Sequence, residues 1–150
     1  NTTKVTTAVA LVLFIVTAGW MLAPSHAQQT TQGETISRCG TAVTSAAEID
    51  TASSGNVELV ALSGTKRVYV CGFAFESDVV TTAVQVIYGT GTACGTDETD
   101  LTGPLTILAN HPLVVPSAGS TQFATPAGKA LCIELSAATQ VNGWVTYVQY

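Results

Sequence analysis

Val80-Thr81-Thr82-Ala83-Val84-Gln85-Val86-Ile87-Tyr88 is the stretch from which the rest of the chain is read. Val80, Thr82, Val84, Val86 and Tyr88 alternate with Thr81, Ala83, Gln85 and Ile87. A period of two places each set on one face of a pleated strand, where a helix would need spacings of three and four. The same rhythm returns at Trp144, Thr146, Val148 and Tyr150, set against Val145, Tyr147 and Gln149.

Working outward, short apolar runs broken by Gly, Pro, Ser and Asn predict further strands near Asn56–Leu62, Lys66–Glu76, Leu101–Leu108, Pro112–Val115, Ser120–Thr125 and Lys129–Leu135. With Val80–Tyr88 and Gly143–Gln149 this makes an all-β domain, expected as an antiparallel two-sheet sandwich of jelly-roll or Ig-like form. The region Thr41–Asp50 stays ambiguous, since Ala46-Ala47-Glu48-Ile49 also suits a helical turn. Composition agrees with strands: 24 of the 150 residues are Thr and only 10% are charged, against about 25% in an average soluble protein.

The first 27 residues read differently. Lys4 precedes an uncharged stretch with the apolar centre Ala8-Val9-Ala10-Leu11-Val12-Leu13-Phe14-Ile15-Val16. Small residues at Ser25 and Ala27 then fit a secretory signal cut after Ala27. Val5 to Ala23 is also long enough to cross a bilayer, so a retained anchor for membrane or assembly is the rival expectation. Either route exports the domain at residues 39–150. Residues 28–38 are expected as a flexible lead-in.

Beyond the leader lie Cys39, Cys71, Cys94 and Cys132, an even number in an exported chain, which implies two disulfides among three pairings. No Cys-x-x-Cys pair supports zinc. Cys71 is read on one face with Tyr69, Phe73 and Phe75, hence inward. Cys132 shares a face with Glu134, hence outward, where Cys94 in a loop reaches it. This favours Cys94–Cys132 with Cys39–Cys71.

Several function classes fall away. Residues 28–150 carry four basic and ten acidic groups, with no basic footprint for nucleic acid. Gly89-Thr90-Gly91-Thr92-Ala93-Cys94-Gly95 has the glycines of a phosphate-cradling loop, but no helix follows to present its amides. After the leader the only histidine is His111, between Asn110 and Pro112, and there is no Gly-x-Ser-x-Gly. No enzyme and no cofactor is expected. Asp97, Glu98 and Asp100 are the one candidate for a cation, weighed against a solvated acidic loop.

The segment Gly143–Tyr150 is expected to be the keystone of folding or assembly through Trp144, Tyr147, Val148 and Tyr150. It carries large apolar groups on both faces and none of the charges or prolines that protect exposed strands. Trp144, Tyr147 and Tyr150 are read as core aromatics and not as a flat sugar-stacking platform. Apolar on both sides, the strand demands cover from the facing sheet within and from a neighbouring subunit or strand without.

Taken together, Leu59-Val60-Ala61-Leu62, Tyr69-Val70-Cys71, Tyr88-Gly89-Thr90-Gly91-Thr92-Ala93-Cys94-Gly95-Thr96, Leu101-Thr102-Gly103, Pro126-Ala127-Gly128-Lys129-Ala130-Leu131-Cys132-Ile133 and Val141-Asn142-Gly143-Trp144-Val145-Thr146-Tyr147-Val148-Gln149 form a pattern. It is similar to a group of small exported β-sandwich proteins met in bacteriophage and environmental genomes. The group has no assigned activity and supplies no site residues. The resemblance implies a structural protein of a virion surface or extracellular assembly, partnered by copies of itself or another structural protein. Membrane contact would run through residues 1–27. A secreted binding module for cell-surface glycans or proteins is the alternative.

Overall fold

The computed structural model describes residues 38–78 and 81–150. A one-turn helix, α1 (Arg38–Thr41), is followed by ten strands: β1 (Ser45–Thr51), β2 (Gly55–Val60), β3 (Val68–Ser77), β4 (Thr82–Thr90), β5 (Thr96–Asp100), β6 (Leu105–Ile107), β7 (Leu113–Val115), β8 (Phe123–Ala124), β9 (Ala130–Leu135) and β10 (Val141–Gln149). A 3-10 turn at Thr92–Cys94 links β4 to β5. The expected leader, anchor and most of the lead-in lie outside the described residues.

Two five-stranded antiparallel sheets result. The first runs β1-β10-β3, with β7 and β8 sharing the far side of β3. The second runs β2-β9-β4, with β5 and β6 sharing the far side of β4. Counting each shared pair as one broken strand leaves eight positions, in which early and late strands interleave: β1 beside β10, β2 beside β9. This is the winding of a jelly roll. In an immunoglobulin-type sandwich the first strand would lie beside the second.

The inner faces of the sheets supply the core. Val68, Val70, Phe73 and Phe75 of β3 meet Val84 and Val86 of β4 and Leu131, Ile133 and Leu135 of β9, with Val141 and Val145 of β10 beside them. Phe73 stacks at 5.0 Å on Phe75 and 5.9 Å on Phe123. Full burial of each such side chain contributes about 1.5–3 kcal/mol.

Four readings change, the first of which the residues had left open. Ala46-Ala47-Glu48-Ile49 is not helical. It lies in β1, whose ladder on β10 from Ser45↔Tyr147 to Thr51↔Val141 overrides the local helix preference of Ala-Ala-Glu. Asp97, Glu98 and Asp100 are not in a loop but in β5, an exposed strand paired with β4. Their charge suits an edge strand, where it blocks further pairing.

The third correction is Cys71, which does not share the face of Phe73 and Phe75. On β10, Thr146 pairs with Gly72 and Tyr147 with Val70, so Cys71 is an extra residue without an opposite number. This bulge reverses the alternation along β3. Val68 and Val70 point into the core before it, Phe73 and Phe75 after it, and Tyr69 and Cys71 are turned outward.

The fourth is Trp144, read as a core aromatic. It alternates with the inward Val145 and so stands on the outer face, 37% exposed. Tyr150 is exposed as well, while Tyr147 packs against the core and Val148 is buried on the outer side.

Gly143 makes the close approach of β10 to β3 possible. Its φ is +155°, and a Cβ there would overlap the carbonyl oxygen of Ala74. Gly143→Ala is therefore expected to destabilise the domain by about 3 kcal/mol, through forced backbone separation. Gly103→Ala, where no atom lies within 4 Å of the added carbon, should change stability by less than about 0.5 kcal/mol. Urea unfolding of the two variants side by side checks the contrast.

Candidate functional site

Each sheet is stapled on its outer face. Cys39 bonds Cys71 and Cys94 bonds Cys132. Neither bridge crosses the core. The first ties α1 down over Tyr69 and Val148, a small cluster outside the first sheet. The second ties the 3-10 turn down over Ile87 and Ala130, outside the second. Cys132 does point away from the core, as its face shared with Glu134 requires, yet the turn covers it completely.

The glycine-rich segment is shaped by that second staple. Gly91 has φ +73°, and a Cβ on Gly89 would collide with the carbonyl of Cys94, so the loop folds back directly on the strand it leaves. Its amides serve a turn closed by Gly95 N–H donating to the Thr92 carbonyl at 3.0 Å. β5 follows where a phosphate loop would have a helix.

The acidic residues of β5 are dispersed. Asp97 accepts from Lys129 Nζ at 3.2 Å, with the Asp97 side chain 70% exposed. Glu98 accepts from the Asn56 side-chain amide. Among the described residues no three His, Cys, Asp or Glu side chains are gathered as metal ligands. His111 lies exposed in the turn after β6, its backbone N–H donating to the Leu108 carbonyl at 3.1 Å.

The outer face of the first sheet is the surface with most chemical character. Trp144 pairs across the ladder with Glu48 of β1 on one side and Ala74 of β3 on the other. Ala74 pairs in turn with Val114 of β7, which is 51% exposed. An apolar row, Trp144-Ala74-Val114, thus crosses three strands with Glu48 at its edge. Along the same face of β10, Val148 lies under the Cys39–Cys71 staple, while Trp144 has no such cover among the described residues.

Trp144, Tyr147 and Tyr150 do not form a shared platform. Tyr147 is turned to the core, and Tyr150 carries the Arg38 guanidinium 4.5 Å above its ring. Ala74, Val114 and Arg38 escaped sequence reasoning. The alternation with Phe73 and Phe75 already turns Ala74 outward, but Val114 sits in a run that is apolar throughout, so only its register with Ala74 assigns it to the outer face.

No family model matches the chain, and no curated protein matches it. Among solved structures it is similar to one of Bacillus endospore appendages, described as a novel family of disulfide-linked pili. The TM-score is 0.43 at 14% identity, over 72% of this chain and 86% of that one. It is also similar to infectious bursal disease virus structures of the Gx strain, at TM-score 0.33 and 14% identity over 71% of this chain and 30% of that one. For the Gt strain the values are 0.32 and 16%, over 70% and 29%. No residue role is carried over from these likenesses.

Two outcomes are expected. Peptide mapping of unreduced protein should recover Cys39 joined to Cys71 and Cys94 joined to Cys132, and reduction should cost about 2–5 kcal/mol per bridge. Any other joined pair would contradict the placement of the staples. Asp97→Asn with Asp100→Asn should shift stability by less than about 0.5 kcal/mol, as for exposed surface groups. A chelator should leave the melting temperature where it was. A drop of several degrees would identify a cation site in β5.

Proposed function

We propose that this protein is a non-catalytic structural subunit of an extracellular or virion-surface assembly, phage-borne as its resemblance implies. In this reading the outer face of the first sheet packs against copies of the chain or another structural protein. The observation that carries it is the unequal cover of β10. One end of its outer face is buried beneath the chain's own disulfide-held turn, and the other presents Trp144 to solvent, with exposed Val114 two strands away across the buried Ala74. Tryptophan is among the residues most enriched where partners bury each other.

Two disulfides in a domain of this size suit an oxidising compartment, and the reading places the protein outside the cell. No helix among the described residues is long and apolar enough to cross a membrane. Membrane contact through residues 1–27 falls outside the described residues.

Exposed Trp144 also favours a second reading, a secreted module that binds glycans or proteins, since an aromatic face stacks on sugar rings. Sedimentation of the full chain separates the two. A structural subunit runs as a large species, and Trp144→Ser, which stays folded because its side chain lies outside the core, weakens self-association by about 2 kcal/mol or more, roughly thirtyfold. A binding module stays small in both forms and loses glycan binding in the variant.

A further inference from the structure

Around the first sheet three cations stand at one end and three of the carboxylates at the other. β3 and β10 run antiparallel through the first sheet, so Val68 and Gln149 mark one end, and Ser77 and Val141 the other. At the first end stand Arg38, Lys66 and Arg67, three of the four cations in residues 38–150. The fourth, Lys129, is held by Asp97. Arg38 stacks on Tyr150, Arg67 continues the ladder by accepting from the Tyr150 N–H at 3.0 Å, and Lys66 lines a groove with Ala42, Val43, Tyr147 and Tyr150. Val43 is 96% exposed there.

The opposite end carries Asp50 of β1, Glu76 of β3 and Asp78 just beyond it, all exposed. Gln140 Nε2 donates to Asp50 at 2.7 Å and Asn142 Nδ2 to Asp78 at 3.2 Å. Neutral amides orient these carboxylates without cancelling their charge. Leu108, 54% exposed, stands beside them, because the adjoining Ala109 bridges to Ser77.

One copy does not neutralise itself. The nine residues of β10 span roughly 27 Å at about 3.4 Å per residue, more than three Debye lengths of about 8 Å at physiological ionic strength. Stacking copies end to end would bring the two sets together directly. Either end alone would accept any partner of opposite charge. Among the described residues, three cations without an ion pair at one end and three carboxylates without one at the other, each set beside an exposed apolar group, fit a second copy of this chain.

We propose that copies associate head to tail, the Arg38, Lys66 and Arg67 end of one against the Asp50, Glu76 and Asp78 end of the next. Leu108 then seats in the groove beside Val43 and Tyr150. Because the two surfaces differ, the contact is heterologous and repeats, giving a ring or an open filament. The proposal rests on the structural-subunit reading and adds to it an axial contact, distinct from the Trp144 face.

Zero-length carbodiimide coupling of the wild-type full chain tests the contact. It joins a carboxylate only to an amine already touching it, so Lys66 cannot reach Asp50, Glu76 or Asp78 within one copy. The expected product is a Lys66 peptide joined to one of those three, between copies. In sedimentation, Asp50→Lys with Asp78→Lys should weaken association at least tenfold, as should Lys66→Glu with Arg67→Glu. An equimolar mixture of the two variants should recover large species. Wild-type protein that assembles without these cross-links, and variants that assemble like it, would overturn the head-to-tail contact and leave the Trp144 reading standing. Wild-type protein that stays monomeric would overturn both.

Discussion

The nine-residue ladder between β10 and β3, with its one unmatched residue at Cys71, is the constraint on which the rest of the structure depends. Without the extra residue, β3 would have to choose between burying Val68 with Val70 and burying Phe73 with Phe75. With it, all four reach the core. The displaced Cys71 is turned to the outside, where it takes Cys39 and fastens α1 over Tyr69 and Val148. The bulge therefore sets the interior and the position of the first staple together. Gly143 acts on the same ladder from the β10 side, since no other residue lets the backbone come so near Ala74.

Much of this was legible in the residues. The period of two in 80–88 and 143–149 marked strands that now sit in the middle of their sheets, because a central strand needs apolar groups at every inward position. Cys132 could be turned away from the core from its step of two to Glu134. What was not legible depends on partners distant in sequence. Nothing local in Tyr69-Val70-Cys71-Gly72-Phe73 announces a bulge, as the irregularity exists only relative to Thr146 and Tyr147. Thr96-Asp97-Glu98-Thr99-Asp100 has the composition of a loop, and only its place beside β4 makes it a strand. Trp144 looked like core because size and hydrophobicity do not say which face of an all-apolar strand is inward.

The candidate surface was legible in kind but not in place. Apolar groups on both faces of β10 predicted that both faces need cover, and the inner face has it from the second sheet. On the outer face the requirement divides at Val148 and Trp144, a split made by where Cys39 lands and not by anything within β10 itself. Low charge leaves few groups to mark the surface, which gives the segregation of Arg38, Lys66 and Arg67 from Asp50, Glu76 and Asp78 more influence on the field than it would have on a densely charged protein.

The partnership of β1 with β10 bears on the order in which such a chain can fold. Ser45 has no ladder partner until Tyr147 is available, and β2 waits in the same way for β9. A polypeptide threading a narrow translocation pore from its N-terminal side thus cannot close either sheet around its early strands while the later ones are still inside. The loop-closure entropy of pairing across so much chain makes the final step slow as well. Under the exported reading proposed above, delayed closure would keep the polypeptide thin enough to travel, and the jelly roll would complete itself only on the far side, where oxidation of the four cysteines would lock it.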